Sequence, residues 1–227
     1  MTPAAQSPDG APLRSDAERN RGRIIAAART VFQREGLGAS MASVAREAGV
    51  GIATIFRHFR IKENLVAAVF ADRMDAYVTA VSEALDTADP WEGFSGFIEA
   101  ICAMQAADRG FADVLTMTFP AAQALEERRL ESYQGFLQLI ARAKDDGRLR
   151  EDFTSQDLVV LLVANAGVLS FAGDAAPDAW RRFVALMIQS FKAPAHGPLP
   201  DAPDDDALYQ AMLRTSAAGL TTPPRGT

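Results

Sequence analysis

The chain has 227 residues, 48% of them hydrophobic, and a formal net charge of −6. That length suffices for one large helical domain or two small ones, with a substantial core. No run approaches the ~18 uninterrupted apolar residues of a spanning helix, and residues 1–12 lack both the basic and the apolar region of a signal peptide, so a cytoplasmic protein without membrane contact is expected.

Residues 1–13, rich in Pro, Ala and Ser, read as a disordered tail. Over residues 16–35, Ile24, Ile25, Ala28, Val31 and Phe32 recur at helical spacing, and Gly36 supplies a stop. A short helix over 41–48 follows, with Ser40 as its N-cap. Gly49-Val50-Gly51 breaks it, and a second short helix runs to about Phe59. A longer amphipathic helix starts near Lys62 and passes through Val66, Val69, Phe70, Met74, Tyr77 and Val81 to about Leu85. Beyond Asp89-Pro90 the same periodicity predicts helices at 91–106, 111–117, 121–145, 155–172 and 177–192. Pro90 and Pro177 stand where helices start, Gly147 and Gly173 where they end. Residues 193–203 form a Pro-rich linker, and 204–214 can form one more short helix before a polar tail. No alternating strand pattern occurs, so the fold class is all-α.

Charge is unevenly spread. Between Arg14 and Lys62 there are ten basic and four acidic residues, a local +6, which leaves −12 on the remainder. A basic head on an acidic body is one reading, and chance unevenness on a solvated surface the other.

The segment from Ser40 to Lys62, SMASVAREAGVGIATIFRHFRIK, carries the most information. Met41, Val44, Ala45 and Ala48 form an apolar stripe, Gly49 can take the backbone conformation of a tight turn, and Val50 can plug the angle between the helices. In the second helix Ile55 and Phe59 point inward, leaving Ile52, Ala53, Thr54, Arg57 and His58 outward. Two short helices at a wide angle around a glycine make a helix-turn-helix at about 40–60, whose second helix enters a DNA major groove N-terminus first.

From Arg23 to Phe70 the sequence resembles the DNA-binding domain of Tet repressor (TetR)-family transcriptional regulators. The resemblance rests on Ala27–Phe32 ending in Gly36, Ser40-Met41, Val44-Ala45, Ala48-Gly49-Val50, Thr54-Ile55-Phe56, His58-Phe59 and Lys62-Glu63-x-Leu65. It implies an all-α dimer with a three-helix helix-turn-helix domain over 14–61. A divergent helical ligand-binding and dimerisation domain over 62–192 follows, then the linker, short helix and flexible tail over 193–227. It also implies repression of a near-palindromic operator, relieved by an unidentified small effector. Two late helices form the subunit interface in this family, which points to 155–172 and 177–192 here. Three departures stand out. Phe56 replaces a usual Tyr, Gly51 a usual Ser-like cap, and Arg60-Ile61 a usual Pro and small polar residue, so phosphate anchoring rests more on arginine.

The DNA-contact candidates follow from these positions. Arg57 and His58 face phosphate or a base edge, Thr54 offers a short hydrogen bond, and Ile52 and Ala53 touch thymine methyls or the groove wall. Gly51 opens this helix at the DNA, Lys62 binds phosphate at a helix N-terminus, Ser40 and Ser43 reach phosphate from the first helix, and Arg21 or Arg23 from the helix before it. The bland alternatives are a half-buried His58, Ser40 as a cap only, and Ala53 as neutral surface.

In the body, Phe97, Ile101, Met104, Phe111, Leu115, Phe119, Tyr133, Phe136 and Leu169 are candidates to line an apolar ligand pocket. Stripes of this kind are also ordinary core. Asn165, inside LVVLLVANAGVLSF, can orient a ligand, pair with a neighbouring helix or face a symmetry mate. Cys102 reads as a small core residue, and a lone cysteine cannot close a disulfide within the chain or anchor a cysteine-based metal site. No cofactor or metal is expected. Only His58 and His196 are histidines, and no HExxH, Gly-rich phosphate loop or Cys-His pairing occurs, so catalysis is not expected. A ligand-independent regulator or an activator is the nearer alternative, and a helical enzyme the remotest.

Overall fold

A computed structural model describes residues 11–221 of the chain, which form ten α-helices and no strand. Helix α1 (Ala11–Glu35) begins three residues inside the segment expected to be disordered. The disorder expected for residues 1–10, and the end of the tail beyond 221, lie outside the described residues. Ile24, Ala28, Val31 and Phe32 are fully buried on one face of α1. Gly36, at φ 70°, ends the helix by donating its N–H to Phe32 O (2.9 Å). This left-handed backbone favours glycine.

Helices α2 (Met41–Ala48) and α3 (Ile52–His58) form as the reading of 40–60 predicts, α2 packed on α1 and α3 on α2. Ser40 caps α2 by accepting from Ser43 N, and Gly49 turns the chain at φ 64°. Helix α4 (Lys62–Asp86) runs from this head into the body. There it lies against α5 (Pro90–Ala107) and α7 (Gln123–Asp145), with the short α6 (Arg109–Thr116) wedged between α1 and α5. Asp89 caps α5 with Pro90 at its first position, the arrangement in which a missing N–H costs nothing.

Two runs of aromatic rings pass through the core. Phe32 of α1 stacks on Phe70 of α4, which meets Phe111 of α6, both at 6.2 Å between centroids. Gly110 lets these rings close up, because a Cβ there would sit 2.7 Å from the Phe70 ring. Lower down, Tyr77, Phe97, Phe136, Phe94, Phe153 and Phe191 form the second run. Head and body therefore share one hydrophobic core.

Helices α8 (Ser155–Ala172) and α9 (Ala179–Phe191) close the body, the second starting two residues beyond the predicted Pro177. One expectation is corrected here. By length and composition residues 155–175 do pass as a membrane-crossing helix, and only 22% of that apolar window is buried. One face of α8 packs on α5, α6 and α9, and Asn165 at its middle is fully buried, donating to Gln105 Oε1 at 2.8 Å. The other face is bare: Val160, Val163 and Phe171 are 49%, 53% and 96% exposed, with Ala164 and Gly167 between them. After the linker, α10 (Asp205–Thr221) runs seven residues beyond the predicted short helix and lies back on the body, where Ser216 Oγ accepts from the buried Thr118 N at 2.9 Å.

Candidate nucleic-acid interface and ligand cavity

Helix α3 presents one exposed face made of Ile52, Ala53, Phe56 and Arg57, continued by Arg60 and Ile61. Ile55 and Phe59 hold it to the core. Gly51 opens it in extended backbone, leaving its first N–H groups without a side-chain cap and facing solvent. Around this face Arg21, Arg46, Arg57 and Arg60 are exposed and make no ion pair among the described residues, whereas Arg19, Arg29 and Arg34 each do. Arg21 lies 5.4 Å over the Phe59 ring, which fixes its stem at the edge of α3. The result is a convex helix bearing apolar groups and unpaired guanidinium groups, the chemistry that meets base edges and phosphates.

Four of the predicted DNA residues are otherwise engaged. Ser43 is buried, sharing a hydrogen bond with Ser40 and accepting one from Arg46, so it is not free for phosphate. Ser40 spends its hydroxyl on the cap. Arg23 donates to Ala48 O (2.8 Å), neutralising the C-terminus of α2. The Lys62 ammonium donates inward to Leu37 O instead of outward. Thr54 is half-buried, and so is His58, whose Nε2 is buried without a partner among the described residues. That ring sits in a cleft with Arg21, Asn64 and Gln123, because position 58 follows Ile55 by three and shares its inward flank. Phe56, which stands where the family usually has Tyr, is 47% exposed on this face of α3.

Lys62 also marks the joint between head and body. Leu37, in the turn after α1, is held at both ends: its N–H donates to Asp113 Oδ2 of α6 (2.9 Å), and its carbonyl accepts from Lys62. Burial pushes the Asp113 carboxyl up and lowers Lys62 to about 8, each partly offset by the other's charge. The depressed lysine binds fewer protons folded than unfolded between about 8 and the ordinary 10.5, so its contribution to stability grows as pH rises through that window. With only three lysines in the chain, a ¹³Cε NMR titration is expected to show one midpoint near 8; three ordinary midpoints would contradict this burial.

The body contains a cavity of about 310 Å³ between α4, α7, α8 and α10. Tyr77, Leu115, Phe136, Leu158 and Leu162 form its floor and sides, and Leu208, Tyr209 and Met212 of α10 its outer wall. Arg129, at the inner end, donates to Val114 O and Met117 O (both 2.6 Å) and lies 3.4 Å from Glu126 Oε2. Among the described residues no group of three or more His, Cys, Asp or Glu side chains is placed to hold a metal.

Residues 24–69 match the model of the bacterial regulatory proteins of the tetR family, and residues 89–193 that of the SbtR-like transcriptional regulator C-terminal domain, about two thirds of the chain together. The chain belongs to the TetR family. An HTH-type transcriptional regulator of Staphylococcus aureus (strain USA300) is 36% identical over 75 residues, 33% of this chain and 40% of its own length, so the match spans under half of that curated relative. A TetR transcription regulatory protein from Mycobacterium vanbaalenii is 32% identical, covering 80% of this chain and 100% of that one at a TM-score of 0.45. The fold is shared with the transcriptional regulator FadR from Bacillus subtilis, solved with stearoyl-CoA, at 17% identity, 77% and 99% coverage and a TM-score of 0.59.

Against this TetR-family frame, the predicted ligand residues divide. Leu115, Tyr133 and Phe136 line the cavity. Phe97, Ile101, Phe111 and Phe119 are fully buried core, Phe111 in the ring column that joins the head. Met104 and Leu169 pack partly buried against the core, and Asn165 pairs with Gln105 of α5 rather than facing the cavity. Sequence reasoning missed Tyr77, Thr118, Arg129 and the whole α10 wall, which lies beyond the matched C-terminal model. The mixed composition of 204–214, apolar at Leu208, Met212 and Leu213, was the available signal.

Proposed function

We propose that this chain is a homodimeric, cytoplasmic transcriptional regulator that represses from a near-palindromic operator and lets go when a small ligand fills the cavity under α10. The observation that carries the DNA-binding part is the exposed face of α3, ringed by arginines that have no acidic partner among the described residues. In helix-turn-helix dimers such a helix lies in the major groove, with half-sites ~34–36 Å or a multiple apart. The bare stripe of α8, with Val160, Val163, Gly167 and Phe171 in one line, supports the subunit seam. A contiguous apolar face of this kind is costly to leave in water. The cavity favours ligand response over constitutive binding, and the FadR neighbour holds its ligand within the same fold.

The test is fluorescence anisotropy with the upstream intergenic DNA against a scrambled duplex near physiological salt. Tight, specific binding is expected. Arg57→Ala should weaken it about tenfold and lower the salt slope by about two, one phosphate contact per subunit. Equal weak binding to both duplexes, followed by failure to enrich any site from a random library, would reject the reading.

A further inference from the structure

We infer that the cavity under α10 selects an uncharged, largely apolar ligand carrying a single hydroxyl or carbonyl head, which Thr118 receives. This deepens the proposed function and rests on its reading of the cavity as the effector site.

The walls supply the argument. Among the described residues Arg129 is the only cation lining the cavity; its two terminal nitrogens serve the carbonyls of Val114, Leu115 and Met117, while its buried Nε makes no hydrogen bond and lies 3.4 Å from Glu126 Oε2, which balances the charge. These carbonyls end α6, so pulling Arg129 away to meet an anion would uncap that helix and strand Glu126. Glu126 is engaged as well, since Oε1 accepts from Phe119 N at 2.7 Å. A cationic head would have to desolvate beside Arg129 without a free carboxylate at the inner end. Asp205, at the mouth, is exposed and already takes the amide of Gln156. The charges of the inner wall therefore cancel within the protein and leave no full charge for a ligand.

What remains is neutral and directional. Thr118 is 2% exposed, yet its Oγ1 has no hydrogen-bond partner among the described residues. Its backbone N–H is already satisfied by Ser216 of α10, so the residue is fixed in place while the hydroxyl stays unpaired. A buried, unpaired hydroxyl costs free energy that a ligand oxygen would recover. Tyr77 lines the same cavity, and burial raises its phenol to about 12, so it remains a donor across the physiological range. The rest of the lining is Leu, Val, Phe and Met, together with Tyr133 and Ser155, whose hydroxyls share a hydrogen bond (3.2 Å), Gln156, which is spent on Asp205, and the exposed Tyr209. A volume of about 310 Å³ lies at the small end of drug-sized pockets.

The experiment is isothermal titration of the full chain with 1-decanol, decanoate and decylamine, which share a tail and differ in head charge. Decanol is expected to bind at least ten times more tightly than either ion. Thr118→Val, nearly isosteric, is expected to weaken decanol about five- to tenfold while raising the melting temperature of the unliganded protein, because an unpaired hydroxyl is removed. Leu130→Trp, at the exposed cavity rim, should weaken all three probes together. Equal or tighter binding of an ion that Leu130→Trp weakens would overturn the neutral-ligand inference and leave the effector site standing. Unchanged decanol affinity in Thr118→Val would overturn the role of Thr118. Failure of all three probes to bind, or binding indifferent to Leu130→Trp, would overturn the cavity as effector site and this inference with it.

Discussion

Gly167→Arg is expected to yield a well-folded monomer that has lost nearly all operator affinity. A Cβ at Gly167 meets nothing within 4 Å among the described residues, so the protomer has room for the new side chain. Replacing a mid-helix glycine by arginine also removes a helix-propensity penalty of about 1 kcal/mol. At a two-fold seam the same change is severe. The small-residue stripe that lets two α8 helices approach is filled, and two guanidinium groups are desolvated against each other. Once the subunits part, the second half-site no longer benefits from tethering, which is worth about 10²–10⁴ in affinity. Sedimentation should report a monomer at micromolar concentration, with unchanged helical circular dichroism and operator binding down by at least about a hundredfold. A dimer that persists would move the seam away from α8.

Much of this architecture was legible in the sequence where local chemistry decides it. The bounds of α2 and α8, the Ser40 cap and the Gly49 turn each depend on residues within one helical turn, and each is found where expected. Periodicity also identified the inward faces correctly, but it cannot separate a residue that fills the core from one that faces a gap. Phe97, Ile101 and Phe111 obey the same spacing as Leu115 and Phe136, and only the packing of α7, α8 and α10 around one another decides which pair sees the cavity. The reading head shows a second limit. Lys62, Arg23 and Ser43 have side chains able to bind phosphate, yet nearby carbonyls and hydroxyls, invisible to pattern, already engage them. Phe56 errs the other way, an apolar residue exposed because that side of α3 has no protein opposite it among the described residues.

Asp113→Ala is expected to loosen the head from the body, costing about 1–3 kcal/mol of stability because Leu37 N–H is left unpaired in a part-buried site. Asp113→Asn is expected to cost less than about half of that, since an amide oxygen can still accept from Leu37 N. Burial works against the Asp113 charge, so a neutral amide also removes a desolvation cost that offsets part of the lost attraction to Lys62. The alanine change also deprives Lys62 of the opposing charge that partly offsets its burial. Its effect on DNA binding should exceed its effect on the ligand site, because Asp113 touches the turn between α1 and α2 and does not line the cavity. Thermal unfolding with operator anisotropy and decanol titration on the same samples separates these outcomes. Operator affinity should fall in Asp113→Ala, recover in Asp113→Asn, and decanol binding should hold in both. If both variants bound DNA as the parent does, the contact of α6 with Leu37 would be a packing detail, and coupling between head and body would have to run through the Phe32, Phe70 and Phe111 column instead.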